Sequence, residues 1–361
     1  MTSSSAVIQQ AVLTSATDRR RRIVLTSFIA SLVFLLMAIV LAIGVGPFAI
    51  SADKIFEILI RALESDPVTG REALVFWNLR LPRVMLGGLV GAALAVSGAL
   101  MQGLFRNPLA DPGLVGVSSG SALAAAIVIV MGDSLLGAAN VSFALLPAAA
   151  FLGGLATTTL LYVIATREGR TSVSTMLLAG IAIGALAGAA LGFLSFVSDD
   201  RQLRDLTFWS LGSLGGATWT KVSIVAAIVI PLLLLAPFLA RALNALLMGE
   251  SEAYYLGFPV QRVKIACIIL VAGSVGASVA AAGVIGFVGI VVPHVIRLLL
   301  GPDHKIVLPL SATLGGVLLV SADAFARIVI APAELPIGIV TASLGAPFFL
   351  WLLLRRGRSI F

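Results

Sequence analysis

From residue 23 to the C-terminus the sequence is built of apolar runs, most about 20 residues long and almost free of charge. At 1.5 Å per residue, about 20 helical residues cross a hydrocarbon layer about 30 Å thick. In lipid the backbone must satisfy its own hydrogen bonds, so runs of this length form helices. Candidate spans fall at 23–46, 82–104, 114–132, 141–165, 173–197, 221–240, 262–285, 287–300, 306–328 and 337–354. The eighth is short and punctuated by Gly286, Gly289 and Pro293, which predicts a tilted or broken helix. The expected fold class is an all-α polytopic membrane protein of about ten transmembrane helices, with a single transmembrane domain over 23–361. Composition agrees, with 59% hydrophobic and 11% charged residues, against about 25% charged in a soluble domain.

Residues 1–22 read as a polar tail ending in Arg19–Arg22. The first apolar run is too long for a signal-peptide core and reads as a retained helix. Ten passes put both termini on one side. The loops on that side hold 15 basic residues against 9 opposite, so both termini are expected in the cytoplasm. This asymmetry accounts for the net charge of +7 without invoking nucleic acid. Segments 48–80 and 198–220 become outer loops long enough for short surface helices, and 241–262 is the longest inner loop. The single cysteine, Cys267, lies in an apolar run, so neither a disulfide framework nor a cysteine-rich metal site is expected.

Function is constrained by what the spans lack. A stand-alone secondary transporter needs intramembrane ionisable groups to couple an ion. Only Asp323, Arg327 and His294 approach the apolar zone, each near an end. No cluster of polar groups at one depth suggests a membrane-embedded enzyme. No G-x-x-x-x-G-K-[ST] occurs, so the chain has no P-loop, and the driving energy is expected from a separate subunit. Gly180, Gly184, Gly188 and Gly192 share one helical face. That face suits close helix packing, a smooth passage lining, or both in turn. In the 241–262 loop, Leu243, Leu246 and Leu247 precede a second apolar group, Tyr254, Tyr255 and Leu256. The loop either lies on the membrane surface or inserts into a partner's groove. RNPLADPG (106–113) carries Pro108, Pro112 and Gly113, a rigid turn between two helices.

RLPRVMLGGLVGAALAVSGALMQGLFRNPLADPGLVGVSSG (80–120), GVIGFVGIVVPHVIRLLLGPDH (283–304) and AELPIGIVTASLGAPFFLWLLLRR (333–356) resemble the permease family of iron-siderophore, haem and vitamin B12 importers. The resemblance runs from about residue 25 to the C-terminus. It implies a ten-helix subunit of the bacterial inner membrane that pairs with a second copy, the substrate passing between them. It also implies a cytoplasmic ABC ATPase dimer and a periplasmic substrate-binding protein. This chain would then hold no cofactor or metal; ATP and magnesium belong to the ATPase. The family's coupling helices correspond to the 241–262 loop. Its cytoplasmic gate falls on Asn107, Leu109, Val173 and Ser174, and the last two depart from the Thr-Ser of the vitamin B12 branch, making a more apolar gate. Arg80, Arg83 and Arg327 match arginines that pair with carboxylates of the binding protein; the alternative is that they reach lipid headgroups. SDDRQLRDLTFWSLGSLGGATW (198–219) is most similar to the haem branch. There Arg201 and Arg204 would attract an anionic ligand or touch the binding protein, or simply be solvated. The expected cargo is haem, ahead of ferric siderophore and cobalamin. His294 and His304 are expected to be structural.

Overall fold

A computed structural model describes residues 2–46, 48, 50–64, 70–136 and 139–356. Helix α1 (Thr2–Gly44) is followed by the surface helix α2 (Ala52–Leu63). A short α3 (Arg71–Val75) runs through a π-helical turn (Phe76–Arg80) into α4 (Leu81–Leu104). Next come α5 (Val117–Leu136), α6 (Ala139–Ala165), α7 (Val173–Val197) and the short α8 (Asp200–Ser210). Then α9 (Trp219–Leu235), α10 (Ala240–Leu246), α11 (Glu250–Tyr255) and α12 (Val260–Ala282) precede α13 (Val288–Leu300), α14 (His304–Ala326) and α15 (Ile337–Arg356). Among the described residues seven helices are long and apolar enough to cross a membrane, and shorter apolar helices at Val117–Gly132, Val288–Leu300 and Ile337–Trp351 bring the set to ten. The end of the bundle that carries the termini is called the inner end below, and the other the outer end.

Helix α4 is the axis of the packing. It touches α14, α12, α13 and α9, and nearly every residue from Val90 to Leu104 is buried. Glycine permits this closeness. A Cβ on Gly91 would run into the carbonyl of Gly315 on α14, and one on Gly98 into the carbonyl of Gly289 on α13. Gly98→Ala is therefore expected to lower stability by about 1–3 kcal/mol, because two backbones in contact cannot yield as a side chain would. Gly88→Ala meets nothing within 4 Å, so it should be neutral or slightly stabilising. Thermal unfolding of the detergent-solubilised variants checks the contrast; equal shifts would refute the backbone-contact explanation.

Three boundaries differ from the sequence reading. Helix α1 begins at Thr2, so the stretch read as a loose tail continues the first span as helix. The second membrane helix begins at Arg71 rather than 82, because the π turn at Phe76–Arg80 carries the helix through residues assigned to the outer loop. The sixth span runs from Trp219 to Leu246 rather than ending at 240, because a 3-10 turn at Ala236–Leu239, with Pro237 in it, carries α9 into α10. A two-residue antiparallel pair, Thr166–Arg167 with Arg170–Thr171, joins α6 to α7 and interrupts an otherwise helical chain. The eighth span is short as expected, entered through Phe287 in a left-handed conformation and closed by Gly301.

Candidate functional site

At the inner end, α10 and α11 form a knob divided into an anchored and a free side. Leu243 and Leu246 are 0% and 3% exposed and belong to the main core. They hold the knob to the bundle and cannot enter a partner's groove, which corrects their assignment as docking residues. Leu247, Tyr254, Tyr255 and Leu256 keep that role open: all are exposed, Tyr255 to 86%. Tyr254 and Tyr255 stack edge-on with ring centres 6.2 Å apart, and Met248 beside them is exposed as well.

Polar bonds fix how the knob is held. Asn244 of α10 donates to Asp303 at 2.6 Å, and its Oδ1 accepts from the backbone N–H of His304 at 2.9 Å. The same Oδ1 lies 2.8 Å from His304 Nδ1, which therefore carries the proton, leaving Nε2 to accept from Arg297 Nη2 at 3.1 Å. His304 is thus a structural joint between α10, α13 and α14. His294 is buried 6.3 Å from the ring of Phe348. On the other side of the knob, Lys264 of α12 pairs with Glu250 of α11 at 2.7 Å and donates to the Thr171 carbonyl at 2.8 Å. Thr171 lies two residues before Val173, so one buried ammonium ties the knob to the start of α7.

Of the sequence-predicted gate residues, Val173 and Ser174 begin α7 directly after the Lys264–Thr171 tie. Ser172 caps α7, accepting from Thr175 N, and its hydroxyl lies 3.1 Å from that of Ser174. Val173 packs against the core while Ser174 is exposed. In the facing loop, Asn107 is exposed and its Oδ1 accepts from Leu109 N at 3.0 Å. Asp111 accepts from Gly113 N at 2.7 Å and caps a 3-10 turn at Pro112–Val115 that packs against α7. Burial raises the Asp111 carboxyl above its ordinary range, and the Gly113 bond opposes that rise.

On α7, Gly180 is buried, but side chains built on Gly184, Gly188 and Gly192 would meet nothing within 4 Å. Packing within the chain therefore does not explain the stripe beyond its first member. Most of that face points away from this chain's own bundle.

The outer end holds the largest departure from the sequence reading. Arg80 and Arg327 are 5% and 3% exposed, not surface cations. Arg80 donates to the carbonyls of Ile43 and Phe48, and Arg327 to those of Ala42 at 2.8 Å and Val45 at 3.2 Å. Each satisfies one carbonyl in the last turn of α1 and one just beyond it; a helix C-terminus leaves acceptors unpaired and favours cations. Arg83 is bidentate to buried Asp323 and also meets exposed Glu334 at 2.9 Å; Asp323 in turn meets Arg327 at 3.2 Å. Only the Arg83–Glu334 edge of this cluster faces outward. Nearby, α8 starts with a capping box of Asp199 and Gln202 and presents Arg201 and Arg204 to solvent. Sequence reasoning missed Asn244, Glu250, Lys264 and Glu334. The spacing of Asp323 and Arg327, four apart on one helix, was a legible signal of a pair.

A ten-helix bundle with an apolar interior, charges gathered at its two ends and a projecting knob at one of them defines a membrane transport permease. Residues 32–355 match the FecCD transport family, and the chain belongs to it. It is 49% identical over 282 residues to the hemin transport system permease protein HmuU of Yersinia pestis, covering 78% of this chain and 84% of that one. It is 44% identical over 288 residues to the vitamin B12 import system permease protein BtuC of Vibrio cholerae, covering 80% and 85%. Among solved structures it is similar to an inward-facing metal-chelate type ABC transporter, with a TM-score of 0.78 and 30% identity over 91% of this chain and 98% of that one.

Proposed function

We propose that two copies of this chain form the translocation pathway of a binding-protein-dependent ABC importer in the bacterial inner membrane, with haem as cargo. The observation that carries the reading is the α10–α11 knob: an apolar tip at the inner end, free on one side and tied on the other to the gate segment. An ATPase dimer docking there would move Lys264 and Thr171 together, and with them Val173 and Ser174. Asn107 and Leu109 would form the facing side of that gate. The open Gly184–Gly192 face, continuing from Gly180, suits a passage lining between the copies. At the outer end, Arg83 with Glu334, and Arg201 with Arg204, are the groups available to a periplasmic binding protein or an anionic cargo; Arg80 and Arg327 support them from behind. Haem is preferred because its propionates suit the exposed arginines and because the hemin permease above shares the higher identity.

The test is reconstitution of the chain with its ATPase and binding protein in proteoliposomes. ATP-dependent uptake of haem is expected, with cobalamin and ferric siderophores taken up at least tenfold more slowly, a difference of about 1.4 kcal/mol or more. Preferred uptake of cobalamin would overturn the cargo, and concentrative uptake by the chain alone without ATP would overturn the importer reading.

A further inference from the structure

At the inner end a cavity of about 270 Å³ opens between the loop after α4, the tip of α10 and the end of α13. Arg106, Arg297 and His294 are among its lining residues, and none of these is acidic. Arg106 is exposed and held in a left-handed conformation, φ 50°, that few non-glycine residues adopt. Arg297 is largely withdrawn from solvent yet has no carboxylate partner among the described residues. Its terminal nitrogens reach only neutral acceptors at 3.1–3.5 Å, long for a charged donor, and its Nε has no partner. Gln102 also lines the cavity at 2% exposure. Its amide nitrogen is committed to the carbonyls of Gly289 and Ile290, so its unpartnered atom is the acceptor Oε1.

A half-buried cation without a counter-ion and a buried acceptor without a donor are both costly. One kind of ligand satisfies both: an oxyanion that carries a hydroxyl. We infer that this cavity binds a phosphate group bearing a neighbouring hydroxyl donor, with Arg106 and Arg297 holding the phosphate oxygens and Gln102 Oε1 accepting from the hydroxyl. Hydrogenphosphate has this chemistry, and so does the headgroup of phosphatidylglycerol, whose chains would lie along exposed Leu298 at the rim. The planar fork of arginine suits such an oxyanion better than lysine would.

The test uses the full chain in nanodiscs and reads binding rather than transport, so its outcome is independent of the importer reading. In one arm, discs contain phosphatidylcholine with a minor share of phosphatidylglycerol, and native mass spectrometry counts lipids retained per chain. In the other, discs contain phosphatidylcholine alone and binding of radiolabelled inorganic phosphate is titrated. Retention of about one phosphatidylglycerol per chain, reduced about tenfold in Arg106→Gln, identifies the lipid source. Saturable phosphate binding weakened by the same factor identifies the free ion. Arg297→Lys is the second variant, since it keeps the charge and loses the fork. No saturable binding in either arm, or binding unchanged in both variants, overturns the proposal.

Discussion

Asp323→Asn is expected to destabilise the folded protein by about 3–5 kcal/mol, the usual cost of removing one partner from a buried ion pair. Asp323 is 2% exposed and, among the described residues, is the one carboxylate paired with both Arg83 and Arg327, with Arg80 donating to the same α1 terminus. Asparagine keeps the shape but leaves these guanidiniums facing one another with no buried negative charge. Arg83 would keep only exposed Glu334, and Arg327 only carbonyls at the end of α1, so the loss should spread to the seam where α1 meets α4 and α14. Glu334→Gln is the control. Glu334 meets Arg83 from the exposed side, where an ion pair is worth about 1 kcal/mol or less. Unfolding of both variants in mixed micelles, titrated with denaturing detergent, separates the two. A shift for Asp323→Asn no larger than that for Glu334→Gln would refute the central place given to Asp323.

The membrane helices were legible because lipid imposes a simple rule: long uncharged runs must be helical. Val173–Val197 matches its expected span at both ends, and α12 and α13 fall within a few residues of theirs. The same hydropathy could not show that Phe76–Arg80 continues α4, since a turn carrying Asn78 and Arg80 reads as a loop until the carbonyls of Ile43 and Phe48 are seen to need donors. Nor could it separate the two sides of α10. Leu243, Leu246 and Leu247 are alike in sequence, and only packing against α4 and α14 decides that the first two are buried. The arginines show the limit most clearly. Their position at a span end was readable, but whether they turn outward or cap a neighbouring helix depends on a partner about 40 residues upstream for Arg80 and about 280 upstream for Arg327. The ties of Asn244 and Lys264 are likewise long-range, with no local spacing to announce them.

Tyr254→Asp combined with Tyr255→Asp is expected to abolish ATP-driven uptake while leaving the chain folded and inserted. Both rings are exposed and make no contribution to the core, so charge there should not disturb the bundle. An apolar tip that enters a partner's groove, by contrast, would have to carry two carboxylates out of water, at several kcal/mol. Loss of about 3 kcal/mol would weaken ATPase association more than a hundredfold. Leu246→Asp makes the comparison decisive. At 3% exposure it buries a charge inside the chain's own core, so its predicted defect is a lower unfolding midpoint rather than selective loss of docking. Lys264→Met tests the next step inward, because it breaks the link from Glu250 to the Thr171 carbonyl without touching the exposed tip. That variant should still bind the ATPase and allow hydrolysis, yet transport poorly, since the knob could move without carrying the start of α7. Co-purification with the ATPase, hydrolysis rate and uptake, measured on the same preparations, distinguish the three defects. Normal ATPase association by the double tyrosine variant would show that the partner grips another part of the inner surface.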